Sequence, residues 1–194
     1  MNQFSDKQLK ENLEKTLKQN NHSKEIWVFA YGALMWAPCF EPEVTLTSTL
    51  KGWARKPCLW TLTARGSKQK PGIVFALEKA QRNSCHGLIF RIAQSRLETD
   101  LLNLWRREMS VGLYKPTWLP VEAGTKKIMA LCFVVNRHHK LFIKCVSKQP
   151  EVRESNWSKI RIFLIRSVTR FGLAEKASWL TALKLIYSQF REKS

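Results

Sequence analysis

The sequence predicts an α+β domain with a mostly antiparallel, barrel-like mixed sheet and flanking helices. Segments with strand character follow one another in runs instead of alternating with helices, which argues against a doubly wound parallel sheet. Helical spacing of apolar residues is confined to the N-terminus, one middle stretch and the C-terminal third. Hydrophobic residues make up 44% of 194 residues, enough to bury a sizeable single core.

The elements follow in chain order. Residues 5–20 read as a helix, because Ser5 suits a cap and Leu9, Leu13 and Leu17 recur every four residues. That stripe is narrow, so residues 1–24 are expected to form a peripheral N-terminal helix outside a single domain of residues 25–194. Residues 27–36, WVFAYGALMW, run as an apolar strand into Tyr31, break at Gly32 and return at once to apolar side chains. Residues 44–50 and 53–63 alternate as strands rich in β-branched and aromatic side chains. A basic, turn-rich loop, ARGSKQKPG, separates them from strand-like residues 73–77 and 86–92. Residues 95–109, SRLETDLLNLWRREM, form the clearest helix, with Ser95 and Glu98 at capping-box spacing. Residues 118–121 and 129–135 pair through a turn near Gly124, and residues 141–146 add a further strand. Beyond Pro150, helices are expected near 156–171 and 174–191 with Gly172 between them.

Composition bounds the function classes. The net charge is +18, and it is uneven: residues 1–50 hold five Lys/Arg against six Asp/Glu, which leaves 28 against nine for residues 51–194. Such a field attracts anions, whether small metabolites, nucleic acid or an acidic membrane surface. Five cysteines, an odd number with no CxxC pair, read as free thiols in a reducing compartment. No apolar run reaches membrane-spanning length, and the first residues lack the apolar core of a signal peptide. The expected location is the cytoplasm. The adjacent His138 and His139 do not suit a metal, because no third ligand is evident.

Two local features could carry chemistry. Glu108 lies four residues past Leu104 and three past Trp105, so the spacing puts it on the apolar stripe of its helix. It is then either a carboxylate at the helix end that reaches solvent or pairs with an arginine, or a buried acid whose pKa rises into the range useful for proton transfer. Gly32 interrupts the first strand and leaves the backbone N–H groups of Ala33 and Leu34 without ladder partners. Such a turn is either a tight corner of the core or a concave set of donors that holds a carboxylate or phosphate.

Taken together, the motifs resemble one family. WVFAYGALMW is similar to the VFGYGSLIW opening of the ChaC-type γ-glutamylcyclotransferases. The likeness continues through LWTLTARGSKQKPGIVFAL, SCHGLIFRIA, LLNLWRREM, YKPTWLPV and ALCFVVNRHH, over about residues 25–140 in the family's order. The resemblance implies a γ-glutamylcyclotransferase-like fold and an intramolecular reaction with neither metal nor organic cofactor. In that reaction the free amine of a γ-glutamyl group attacks its own δ-carbonyl and releases 5-oxoproline and the amine half. It implies that Tyr31, Gly32, Ala33 and Leu34 hold the glutamyl α-carboxylate and backbone, and that Glu108 is the catalytic carboxylate. Arg65, in the position of the family's Arg-Gly pair, and Tyr114, after the catalytic helix, are implied substrate-site residues. The implied substrate is glutathione or a related compound.

The sequence departs from the family's pattern in places. Ala33 replaces the serine that follows Tyr-Gly, at an expected loss on the order of 1–3 kcal/mol if that hydroxyl bonds substrate. Ala30 stands for a usual glycine, and Ala37 stands where Asp or Asn is common. Trp179 stands where a C-terminal tyrosine is expected. These changes, with the charge, leave an alternative: a weak or inactive relative serving as a basic binding module for nucleic acid or acidic membrane. Residues 51–70, with six Lys/Arg, no acid, and Trp53 and Trp60 interleaved, are its candidate surface.

Overall fold

Strands β1 (Trp27–Ala30), β2 (Val44–Thr61), β3 (Gly72–Arg91), β4 (Tyr114–Ala123) and β5 (Lys126–Val135) close into a barrel in the order β1-β3-β2-β4-β5. The computed structural model describes residues 3–20, 24–62, 67, 69 and 71–144. The chain divides into two compact units, Met1–Phe142 and Ile143–Ser194, and every named element belongs to the first. Cys145 and the helices expected at 156–171 and 174–191 lie outside the described residues.

The ladders β1–β3, β2–β3, β2–β4 and β4–β5 are antiparallel. Single parallel pairings, Val28↔Leu131 and Leu77↔Val134, seal β5 against β1 and β3. The sheet is therefore mixed and mostly antiparallel, as the runs of strands predict. Alternate residues fill the interior: Phe29 from β1 and Tyr31 just after it, Leu50 from β2, Leu77, Cys85 and Ile89 from β3, Val121 from β4, and Ala130, Cys132 and Val134 from β5. β1 is buried along its whole length.

Two pairs of expected strands are each one strand. Residues 44–50 and 53–63 join as β2, because the ladder resumes past Gly52, at φ 79°: Lys51 pairs with Ser84 and Trp53 with Lys79, and the extra residues of this irregularity lie on β3. Residues 73–77 and 86–92 join as β3 through a polar, largely exposed middle that gives no apolar pattern to read. Gly87 permits the closest approach in the barrel: a Cβ there would lie 2.3 Å from the Ala30 carbonyl oxygen and 2.9 Å from the Phe29 ring. β4 and β5 meet at the Gly124 turn, as expected. The strand expected at 141–146 is, among the described residues, one isolated bridge between Leu59 and Phe142.

Helix α1 (Asp6–Leu17) starts at Ser5, whose hydroxyl accepts from the Gln8 backbone while Gln8 reaches back to the Ser5 N–H. It is tied firmly to the body. The Trp105 indole donates to Asn12 Oδ1 at 3.0 Å, the Trp118 indole donates to the Thr16 carbonyl at 2.9 Å, and Arg106 pairs with Asp6 at 2.8 Å. Trp105 is fully buried, so Asn12→Ala leaves its N–H without that acceptor at an expected cost of about 1–3 kcal/mol. A lowered thermal midpoint checks this.

Helix α2 (Leu97–Glu108) is entered through a 3₁₀ turn, Gln94–Arg96. The capping box expected at Ser95 and Glu98 does not form: Ser95 sits inside that turn, and Arg96 occupies the cap position without a side-chain bond. Leu101, Leu104 and Trp105 face inward, with the Trp105 ring edge-on to Phe133 at 5.6 Å.

Candidate active site

β1 ends at Ala30, and the next side chain turns into the barrel. The Tyr31 hydroxyl donates to the Phe133 carbonyl at 2.7 Å, a buried bond that fixes the exit of β1 against the end of β5. Burial, with Tyr114 and Glu108 as electrostatic neighbours, holds the Tyr31 proton well above the ordinary phenol range. Gly32 then opens a 3₁₀ turn over Ala33–Met35. Met35 donates to the Gly32 carbonyl at 2.9 Å, and Trp36 and Ala37 donate to the Ala33 carbonyl at 3.2 and 2.9 Å. Among the described residues, the N–H groups of Ala33 and Leu34 have no such backbone acceptor. Gly32 adopts φ −138°, and a Cβ built on it would meet nothing within 4 Å. The space beside it is open, while Leu34 and Met35 pack into the core.

The second component comes from α2. Glu108 is its last residue, and its side chain is only 17% exposed. Burial raises its pKa above the usual carboxylate value, and this outweighs the opposing pull of Arg107, whose Nε lies 3.3 Å from Glu108 Oε1. Arg107 also donates to the Ala37 carbonyl, at the end of the Gly32 turn. One guanidinium thus ties the turn to the helix end that carries Glu108. The half-buried Cys39 lies in the same neighbourhood: burial raises its thiol pKa, with Arg107 opposing and Glu108 adding to the rise.

Strand register explains why these groups meet. β1 and β5 run parallel, so Ala30 and Val135 lie toward the same end of the barrel. Tyr114 pairs with Val135 and opens β4 a short loop after Glu108. Tyr31, Gly32, Ala33, Leu34, Glu108 and Tyr114 therefore cluster at one barrel end. Arg65 lies outside the described residues. Of the adjacent arginines, Arg106 turns away toward Asp6 while Arg107 turns to Glu108, and nothing in the helix period distinguishes the two.

His138 and His139 fall in the turn after β5. His138 donates its backbone N–H to Asn136 Oδ1, and His139 Nδ1 accepts from the Leu141 backbone. Among the described residues no group of three His, Cys, Asp or Glu side chains could hold a metal ion. Cys39, Cys58, Cys85 and Cys132 are free thiols. No described helix is long and apolar enough to cross a membrane.

The raised pKa of Glu108 has a sign that can be checked. The folded state holds this proton more tightly than the unfolded chain, so the group's contribution weakens as pH rises from the unfolded value toward the folded one. Glu108→Gln removes that loss. Its thermal midpoint is expected to exceed that of wild type near pH 7, and the gap is expected to close toward pH 4.

A family model described as ChaC-like protein matches residues 26–153, which contain both the Gly32 turn and Glu108. The chain belongs to the ChaC-like family. Among curated proteins it resembles the glutathione-specific γ-glutamylcyclotransferase of Escherichia coli K12, at 34% identity over 137 residues. That match covers 70% of this chain and 58% of the relative. The human glutathione-specific γ-glutamylcyclotransferase 1 is 25% identical over 120 residues, covering 60% of this chain and 54% of that protein. The ChaC-like chain thus spans a little over half the length of these relatives. The crystal structure of a glutathione-specific γ-glutamyl cyclotransferase from yeast shares its fold, with a TM-score of 0.55 at 15% identity. That superposition covers 87% of this chain and 100% of the yeast chain.

Proposed function

We propose that this ChaC-like chain is a γ-glutamylcyclotransferase that cleaves glutathione, or a close γ-glutamyl relative, to 5-oxoproline and the free amine half. The observation that carries the reading is a shielded carboxylate of raised pKa, Glu108, bridged by Arg107 to a turn with open space beside Gly32. The relatives named for this activity support it.

The chemistry follows from the groups available. The substrate α-ammonium gives a proton to Glu108, and the freed amine attacks the δ-carbonyl carbon. A C–N bond forms and closes the five-membered ring. The scissile C–N bond then breaks as Glu108 returns the proton to the leaving nitrogen, and the extra proton left on the ring nitrogen passes through the same carboxylate to that amine, so 5-oxoproline keeps one N–H and Cys-Gly departs as its ammonium. One group serves as base and then acid, and its raised pKa brings it nearer the working pH. The N–H groups of Ala33 and Leu34 hold the glutamyl portion in a bent pose, and proximity supplies much of the remaining rate. Tyr31 acts through its backbone, since its hydroxyl is bonded to Phe133. Tyr114 orients Glu108, and Arg65 meets a substrate carboxylate. The reaction is redox-neutral within one molecule, so the proposal includes no metal or organic cofactor. Free thiols suit a reducing compartment, and we place the activity in the cytoplasm.

Incubation of the purified chain with millimolar glutathione is expected to yield 5-oxoproline and Cys-Gly in equal amounts. Failure to form either product overturns the reading. The charge of +18 favours a second role, a basic surface for nucleic acid or acidic lipid. Binding at low salt that falls steeply as salt is added tests that role.

A further inference from the structure

A second charged side chain faces the interior at the same end of the barrel. Arg55 pairs across the β2–β3 ladder with Leu77, and directly opposed residues of an antiparallel ladder face the same side. Leu77 belongs to the interior cluster with Phe29, Tyr31 and Cys85. Arg55 Nε is shielded from solvent, and Nη2 donates to the His86 carbonyl at 3.0 Å. The His86 ring is itself held by Thr49, with Nδ1 2.9 Å from the hydroxyl, so this support is fixed on both sides.

Register and electrostatics agree on where the guanidinium sits. Leu77 pairs with Val134, which follows the Phe133 whose carbonyl receives the Tyr31 hydroxyl. Tyr114 pairs with the next residue, Val135. Burial lowers the pKa of Arg55, and the groups that oppose this are Cys85 and Tyr31. Tyr31 is in turn the neighbour of Glu108 and Tyr114. Arg55 and the candidate catalytic carboxylate thus share Tyr31 as a neighbour.

Enclosing a cation in a barrel is expensive, and a well-packed apolar side chain of similar volume is commonly as stable or more so. Packing does not explain an arginine there, but recognition of an anion does. The planar guanidinium presents paired donors that match a carboxylate, which a lysine does not reproduce. We propose that Arg55 is a substrate-binding residue that holds a carboxylate of the γ-glutamyl compound at this end of the barrel. The inference rests on the proposed function for the identity of the ligand. Glutathione offers two such groups, one on the glutamyl half and one on the glycine.

Calorimetric binding of glutathione to wild type, Arg55→Gln and Arg55→Lys tests this, with thermal melts to establish folding. The expected result is a loss of affinity of about thirtyfold or more in Arg55→Gln and a smaller loss in Arg55→Lys. Turnover is expected to show the loss mainly in KM. Affinity and KM within twofold of wild type in a folded variant overturn the proposal, as does wild type that fails to bind glutathione. If Arg55→Gln does not fold, Arg55→Lys decides by the same criterion. A glutathione analogue with its glycine carboxylate blocked as the amide identifies the partner. An unchanged penalty on the analogue assigns Arg55 to the glutamyl carboxylate, and a vanished penalty assigns it to the glycine. Because binding is read apart from turnover, wild type that binds through Arg55 but releases no 5-oxoproline removes the cyclotransferase reading and keeps this one. Normal turnover with an unchanged KM in the variants does the reverse.

Discussion

Glu108→Gln is expected to lower 5-oxoproline release from glutathione by a factor on the order of 10²–10⁴. The amide has nearly the shape of the carboxylate, and the residue ends its helix, so the substitution disturbs little packing. What it removes, on the proposed mechanism, is the group that takes a proton from the substrate amine and returns it to the leaving nitrogen. Substrate affinity is expected to change far less than kcat, because the turn at Ala33 and Leu34 still offers its N–H donors. The prediction pairs with the stability effect of the same variant. A carboxylate serving only to neutralise Arg107 leaves a weaker protein when replaced, whereas a shielded acid kept for chemistry leaves a sturdier one. An assay of product formation beside a melt at pH 7 reads both. Undiminished 5-oxoproline release from the variant removes Glu108 from the mechanism.

Gly87→Ala is expected to destabilise the fold by about 3 kcal/mol, at the upper end for overpacking. The added methyl would sit 2.3 Å from the Ala30 carbonyl oxygen, and backbone cannot swing aside as a side-chain tip can. Relief requires β1 to move off β3, where Phe29↔Ile89 and Ala30↔Leu88 are paired. That movement would carry Tyr31 and the Gly32 turn with it. The expected signature is joint loss of thermal midpoint and activity, with the residual activity rising again on cooling. A midpoint within about 1 °C of wild type would show that β1 has room to shift.

Legibility in the sequence followed the source of each signal. α2 and β5 were readable because one face of each element is continuously apolar, and the same stripe placed Glu108 near the interior. The cap of α1 was readable at Ser5 because capping is local chemistry. Ser95 offered an equally good motif and was not used, because the chain enters α2 through a 3₁₀ turn that the motif does not encode. β2 and β3 looked like four strands, since an irregularity at Gly52 and an exposed polar stretch interrupt the pattern without breaking the ladder. At the site, the Gly32 turn and Glu108 were visible as departures from local rules. Arg107 and Arg55 were not, because long cations take their direction from tertiary neighbours, one from the Ala37 carbonyl and the other from the barrel interior. Arg65 belongs to a loop outside the described residues.

The closed ladder has a consequence for how copies of this protein meet in solution. Where β5 returns to β1 and β3, and β4 to β2, the closing pairs at Val28, Leu77 and Thr49 occupy edge positions that a second molecule would otherwise extend. Templated strand addition, the common first step toward fibrils, is obstructed at those positions. Approaching copies also meet through surfaces rich in Lys and Arg, where like charges push the molecules apart.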